Sequence, residues 1–159
     1  MKSPFHREHS RDEPRAVVEL WGERVRYAFD RELVREFELR ELVAVGERWF
    51  APMHLEDEHY LVLVLPDGGW LQLGELTLGR ERLVRALEAL HGTRIEFECL
   101  GSGDDQGRML LPERLKGRPL FHVEPLERAG WWGRVIDRFD PRITWRLTDE
   151  LEALARVDR

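Results

Sequence analysis

The strongest hydrophobic signal in the chain is the run of six apolar residues at positions 60–65, Tyr-Leu-Val-Leu-Val-Leu. The run is too short to span a membrane and ends in turn-forming residues, which is typical of a strand buried on both faces. Residues 66–69, Pro-Asp-Gly-Gly, favour a chain reversal, because proline presets φ and glycine tolerates positive φ. The pattern therefore predicts a central hairpin whose second strand begins at Trp70.

After Gly79 the spacing of apolar residues changes from that of a strand to that of a helix. Four apolar residues fall at i, i+1, i+4 and i+7 and share one helical face, and they are Leu83, Val84, Leu87 and Leu90. Gly92 is placed to end the helix in the left-handed conformation. We therefore predict a helix over residues 79–91 that folds over the central hairpin.

Two other places carry a Gly-Glu pair between extended runs, which is the sequence that a type II′ hairpin turn requires. The first pair, at Gly22, joins residues 17–21 to 24–29, and the second, at Gly46, joins 42–45 to 48–51. Further strands are predicted where apolar and polar residues alternate or short apolar runs occur, at 34–39, 93–100, 109–111 and 120–123. For the first of these a helix is the alternative, because Leu33 and Phe37 are spaced as on one helical face. Together these segments predict an antiparallel, strongly twisted sheet.

The C-terminal part favours helices. Apolar residues from Trp132 to Phe139 share one helical face before Pro141 stops the run, and Thr148 can cap a last helix. We expect an α+β fold with a flexible tail at 1–15 and a single domain over 16–159. Within it, residues 16–92 supply the sheet and its helix, and 93–159 form an extension with strands and two helices.

Composition and charge exclude several classes of function. The 159 residues are 42% hydrophobic, which suits one folded domain, and 25 basic against 31 acidic residues give a net charge of −6. Nucleic acids and anionic membranes bind basic surfaces, so neither is an expected partner. The single cysteine, Cys99, excludes an internal disulfide, and the sequence shows no signal peptide, membrane span or cofactor motif. These features predict a cytoplasmic protein.

The order of elements over residues 16–92, several extended segments followed by one amphipathic helix, resembles that of bacterial pleckstrin-homology-like domains. The run at 69–74, Gly-Trp-Leu-Gln-Leu-Gly, precedes the helix in the same way. The resemblance implies a bent antiparallel sheet closed at one corner by the helix, serving as a scaffold that binds protein more often than lipid. Lipid-binding members carry a basic cluster at the first hairpin, where this chain has only Arg24 and Arg26 beside Glu23.

The densest set of potential metal ligands lies at residues 54–59, His-Leu-Glu-Asp-Glu-His. In an extended chain His54, Glu56 and Glu58 project to one face and His59 to the other. One histidine with two carboxylates suits zinc, iron or manganese, although the spacing matches no recognised motif. The alternative hypothesis is therefore a metal-dependent hydrolase using these four residues. Otherwise the segment is a solvated loop that caps the strand with charge.

Two adjacent tryptophans, Trp131 and Trp132, are followed by several arginines. Neighbouring residues on a helix point about 100° apart, so one ring can face the core while the other is exposed. The alternative is that both rings lie under the sheet or the last helix. Tryptophan and arginine are enriched in protein interfaces, and we predict binding through Trp131, Trp132, Arg134 and Arg138. Residues 30–58 hold nine acids and four bases, a surface suited to a basic protein partner. The sequence thus favours a non-enzymatic interaction protein, an adaptor or an immunity-type inhibitor.

Overall fold

The computed structural model describes residues 16–50, 58–98, 107–125 and 143–157, which form nine strands and two helices. The strands are β1 Ala16–Trp21, β2 Arg24–Phe29, β3 Glu32–Glu38, β4 Ala44–Phe50, β5 Glu58–Val64, β6 Trp70–Leu73, β7 Arg108–Leu111, β8 Phe121–Pro125 and β9 Ile143–Leu147. The helices are α1 Arg80–His91 and α2 Asp149–Val157. The predicted α+β class is confirmed. No helix in the described part is long and apolar enough to cross a bilayer.

The described strands form three antiparallel sheets, and none of these sheets closes into a barrel. Their orders are β1-β2-β3, β6-β5-β4-β7 and β8-β9. The four-stranded sheet is the middle layer: one face shares a core with β1–β3 and α1, and the other shares a core with β8, β9 and α2. On the second face the guanidinium of Arg48 lies 4.1 Å from the ring centroid of Trp145.

The hairpin predicted at Gly22 is confirmed, with Trp21 opposite Arg24 and a positive φ of 60° at Gly22. The next connection, between β2 and β3, consists of Asp30 and Arg31, and both have positive φ. Positive φ at both central residues is the geometry of a type I′ turn, whose twist matches that of the strands it joins. The interpretation of residues 34–39 as part of a strand is confirmed up to Glu38, after which Leu39 begins a short 3₁₀ helix.

The central strand is confirmed as β5, which pairs with β4 on one side and β6 on the other. Residues 61–65 are all buried, since apolar layers cover both faces of the sheet. The turn to β6 is closed by a hydrogen bond of 2.8 Å from the Leu65 N–H to the Gly69 carbonyl. The Gly69 N–H in turn donates to Asp67 Oδ1 at 2.9 Å, which is the local bonding that favours aspartate in turns.

Helix α1 begins after Gly79 and ends at Gly92, and both glycines have positive φ. A Cβ at Gly79 would overlap the carbonyl oxygen of Val18 on β1, so only glycine fits there. Leu83 and Leu87 are fully buried, which confirms the predicted face, whereas Leu90 near the end of the helix is 39% exposed. The close approach at Gly79 therefore fixes where α1 packs against the first sheet.

The hairpin predicted at Gly46 is wrong. Ala44–Phe50 is one continuous strand that pairs with both β5 and β7, so Gly46 lies in the middle of a sheet. A Cβ at Gly46 would overlap the Arg108 carbonyl oxygen and the Leu120 side chain. Glycine is needed here because the neighbouring chain approaches closely, and the pairing with β7 also shifts register between Val45 and Gly46.

The C-terminal part differs from the prediction in two places. Ile143–Leu147 is a strand paired with β8. The described residues 94–98 are not a strand, although Ile95 is buried and its N–H donates to Glu88 Oε1 at 2.9 Å. The predicted last helix is confirmed as α2. The Thr148 carbonyl accepts its first hydrogen bond, from the Glu152 N–H, but the buried Thr148 hydroxyl has no partner among the described residues.

Candidate functional site

A cluster of charged side chains lies at one end of the middle sheet, on the face that packs against α1. Glu47 on β4 is directly opposite Arg108 on β7 and opposite Leu61 on β5. His59 is two residues from Leu61 on the same strand, so its side chain projects to the same face as that of Glu47. Three neighbouring strands thus bring together residues that are up to 61 positions apart.

Glu47 is the centre of this cluster and is only 2% exposed. Its Oε2 lies 2.8 Å from His59 Nε2, and its Oε1 accepts from Arg108 Nε at 2.6 Å and from a terminal nitrogen of the same guanidinium. The backbone N–H of Glu98 donates to Oε1 as well, at 3.1 Å. A buried carboxylate is tolerated only with such a set of donors, because desolvation of an unpaired charge is costly.

The hydrogen bonds of His59 determine which ring nitrogen carries its proton. Nδ1 lies 2.6 Å from a terminal nitrogen of Arg80. A guanidinium can only donate, so Nδ1 accepts, and the ring proton is therefore on Nε2, where it is donated to Glu47. His59 is thus a neutral bridge between a carboxylate and a guanidinium, with both ring nitrogens in use.

The electrostatics of the pair Glu47–Arg108 favour its ionised form. Burial raises the pKa of Glu47, but the hydrogen bonds from His59 and Arg108 outweigh burial and bring the pKa below its ordinary value. Burial lowers the pKa of Arg108, but its bonds to Glu98 and Glu47 more than compensate and raise that pKa. Both groups are therefore charged at neutral pH, and each stabilises the charge of the other.

Arg80, the first residue of α1, is in a different situation. It is half-buried, and burial lowers its pKa, with Glu75 and Glu47 acting in the opposite direction from a distance. Its guanidinium lies 5.6 Å from the ring centroid of Phe97, which itself makes an edge contact with His59. Within the described part of the chain its one hydrogen-bonding partner is neutral His59, and no carboxylate lies within ion-pair distance.

Arg80 faces a cleft of about 1130 Å³ that opens to solvent, here named the α1 cleft. One wall is the segment 75–79 before the helix, another is the first half of α1, and the aromatic side chains Trp49 and Phe97 complete it. Leu76 and Leu78 on this wall are 89% and 58% exposed. The cleft thus combines exposed apolar side chains with a half-buried cation.

Most residues singled out from the sequence lie outside the described residues. They are His54, Glu56, Trp131, Trp132, Arg134 and Arg138, together with Cys99. Glu58 is the first residue of β5, and both ring nitrogens of His59 are already bonded, so a metal at His59 would have to displace Glu47 or Arg80. The described ranges contain no group of three or more His, Cys, Asp or Glu that could hold a metal ion.

The acidic surface expected from residues 30–58 is less acidic in its described part. Glu47 is buried and belongs to the internal cluster. Over residues 30–46, five accessible acids are accompanied by three exposed arginines, and two of those, Arg35 and Arg40, form ion pairs with Asp67 and Glu23. The exposed charge on this side is therefore mixed.

Sequence reasoning did not find Glu47, Arg80 or Arg108, which the fold brings together. Glu47 lies beside Arg48 in a stretch whose other residues are apolar or glycine, which is a usable signal, but the Gly-Glu pair favours a turn. Comparison of the chain with family models, with curated proteins and with solved structures gives no match.

Proposed function

We propose that this protein is a non-enzymatic interaction module that receives a segment of a protein partner in the α1 cleft. The observation that carries the proposal is the exposure of Leu76 and Leu78, 89% and 58%, beside the exposed ring of Phe97. Single exposed apolar residues are ordinary, but these three side chains line the same cleft, and exposed apolar side chains gathered in a cleft favour an interaction surface. Covering these side chains would remove their apolar area from water, which drives association.

The size and chemistry of the cleft support a protein segment over a small molecule. Pockets for small molecules occupy about 300–1000 Å³ and enclose most of their ligand, whereas this cleft is larger and open. His59 lines the cleft with both ring nitrogens hydrogen-bonded, and its partner Glu47 is bonded in turn to Arg108. The bonds that Glu47, His59 and Arg108 already make within the described residues leave none of the three free to act as a nucleophile or general base.

The segment with Trp131, Trp132, Arg134 and Arg138 is a second contact surface in this proposal, because tryptophan and arginine commonly anchor interfaces. The resemblance to pleckstrin-homology-like scaffolds agrees with a role in protein binding. A domain of this size with a binding cleft suits an adaptor or an inhibitor. The charged groups around the cleft would mainly set the rate and specificity of association.

The experiment is a pull-down from the lysate of the native host with the tagged full chain, quantified by mass spectrometry. The baits are the wild type, a Leu76→Ser/Leu78→Ser double variant, Trp132→Ala, and Leu90→Ser as a matched control that removes an exposed leucine of α1 outside the cleft. We expect a stoichiometric partner with the wild type and the control that is lost with the double variant. A partner retained equally by the double variant would refute docking in the cleft, and loss with Trp132→Ala would place the second contact.

A further inference from the structure

The charge of Arg80 is the feature of the cleft that the proposed function leaves unexplained. Arg24, Arg35, Arg40 and Arg108 all contact a carboxylate. Arg80 is more buried than the first three of these, yet its one bonded partner in the described part of the chain is the neutral imidazole of His59. A partly desolvated guanidinium without an acidic contact is unfavourable unless an anion arrives.

The guanidinium of Arg80 is also held in place. Glu47 fixes the tautomer of His59, and Nδ1 of His59 accepts from one terminal nitrogen of Arg80. Phe97 lies beside the guanidinium, with 5.6 Å between the Arg80 Cζ atom and the ring centroid. A guanidinium has five N–H donors, of which this arrangement uses one, so donors remain for a two-point contact with a carboxylate.

The charges around Arg80 balance in number, but the way they pair within the described ranges leaves Arg80 and Arg82 without a carboxylate in contact. Glu81 is paired with Arg85, and Glu98 is paired with Arg108. Arg82, exposed on the same turn, has no ion-pair partner among the residues that the structure describes. Glu75 and Glu47 act on Arg80 only from a distance, so a carboxylate that reached its guanidinium would be its first acidic contact among the described residues.

We infer that the α1 cleft selects a partner segment in which an aspartate or glutamate is flanked by large apolar residues. Its carboxylate would bind Arg80, and its apolar side chains would cover Leu76 and Leu78. The inference rests on the proposed function and specifies the chemistry of the partner. It differs from the basic partner that the overall composition suggested, because the surface charge near the cleft differs from the net charge of the chain.

The experiment starts from a phage-displayed library of random peptides selected on the immobilised full chain. A selected peptide and its version with Glu or Asp replaced by Gln or Asn are then labelled with fluorescein and titrated by fluorescence polarisation. The variants are Arg80→Gln, Arg80→Lys, the Leu76→Ser/Leu78→Ser pair, and Arg94→Gln, which removes an exposed arginine outside the cleft. Thermal melting of each variant checks that it is folded.

We expect the selected peptides to share one acidic residue between apolar ones. Arg80→Gln and the amide version of the peptide should each weaken binding by roughly tenfold or more, as for loss of a charge-assisted hydrogen bond, and Arg94→Gln should not. Combining the two changes should cost little more than either alone, because they remove the same contact. Arg80→Lys should retain part of the affinity, since it keeps the charge and loses the fork geometry.

Two outcomes separate this inference from the proposal beneath it. Peptides without an acidic residue that still depend on Leu76 and Leu78 would overturn the acidic anchor and leave the docking cleft standing. Peptides that bind the Leu76→Ser/Leu78→Ser variant as tightly as the wild type would overturn both the acidic anchor and the docking cleft. A library that yields no binder would overturn the acidic segment, while the pull-down would still decide whether the cleft binds a protein.

Discussion

The substitution Glu47→Gln tests whether the buried ionic cluster stabilises the fold as its geometry implies. In the native protein the carboxylate accepts bonds from His59, Arg108 and the Glu98 backbone. Glutamine keeps one acceptor oxygen, but its amide group donates. If that amide faces the Nε2–H of His59, two donors oppose each other. If His59 moves its proton to Nδ1, the conflict passes to Arg80 at 2.6 Å.

The expected magnitude follows from burial. Removing one partner of a buried ion pair costs about 3–5 kcal/mol, because the other charge is left desolvated. We expect the lower end, about 3 kcal/mol, since Arg108 keeps its contact with Glu98 and glutamine keeps one acceptor. For a chain of this size such a loss lowers the melting temperature by roughly 10 °C.

The assay is urea denaturation followed by tryptophan fluorescence, with equal slopes required before the free energies of unfolding are compared. Glu98→Gln is the matched control, because it removes a carboxylate from the same arginine at a side chain that is 62% exposed. An exposed ion pair contributes about 1 kcal/mol or less. If Glu47→Gln costs no more than Glu98→Gln, the cluster is not a determinant of stability and the argument fails.

Three further predictions concern pH, packing and backbone. The pKa of Glu47 in the folded protein is below its ordinary value of 4.5, so the stability that Glu47 contributes is complete above pH 4.5 and is lost as the pH falls. The difference in unfolding free energy between wild type and Glu47→Gln should therefore shrink in urea titrations between pH 6 and pH 3. Leu87→Ala should cost about 2–5 kcal/mol in thermal or urea unfolding, whereas Leu90→Ala should cost less than about 1 kcal/mol, and equal losses would contradict the assigned face of α1. Gly46→Ala should prevent soluble expression or greatly lower the melting temperature, because its Cβ meets the Arg108 carbonyl, and a melting temperature equal to that of wild type would refute the close approach.

The parts of the fold that could be predicted from the sequence are those with local causes. The apolar run at 60–65 had no polar residue to face solvent, so it had to be central. The helix at 79–91 carried its own period and a glycine at each end. Gly46 has no local signature that separates a turn from a close approach, since the chain that requires glycine there arrives some sixty residues later in β7.

The candidate site was harder to predict than the fold. Glu47 is stabilised by Arg108, and neither residue shows in the sequence that the other is its partner. His59 was grouped with its sequence neighbours as a potential ligand, whereas the register of β4 and β5 directs it to Glu47 and Arg80. Strand β9 did have a signal, because apolar and polar residues alternate from Ile143 to Leu147, but the neighbouring helical pattern obscured it.

The middle sheet has a consequence for how the chain can be made and divided. Its first face is covered mainly by β1–β3 and α1, which precede Gly92, and its second face is covered by β8, β9 and α2, which are synthesised after the central strands. During synthesis the central strands therefore emerge from the ribosome before β8, β9 and α2 exist, and Ala44, Val62 and Val64 are exposed to water until those elements pack on them. A fragment ending at Gly92 should associate through that face, so any division of the chain for expression belongs outside the stretch from β1 to α2.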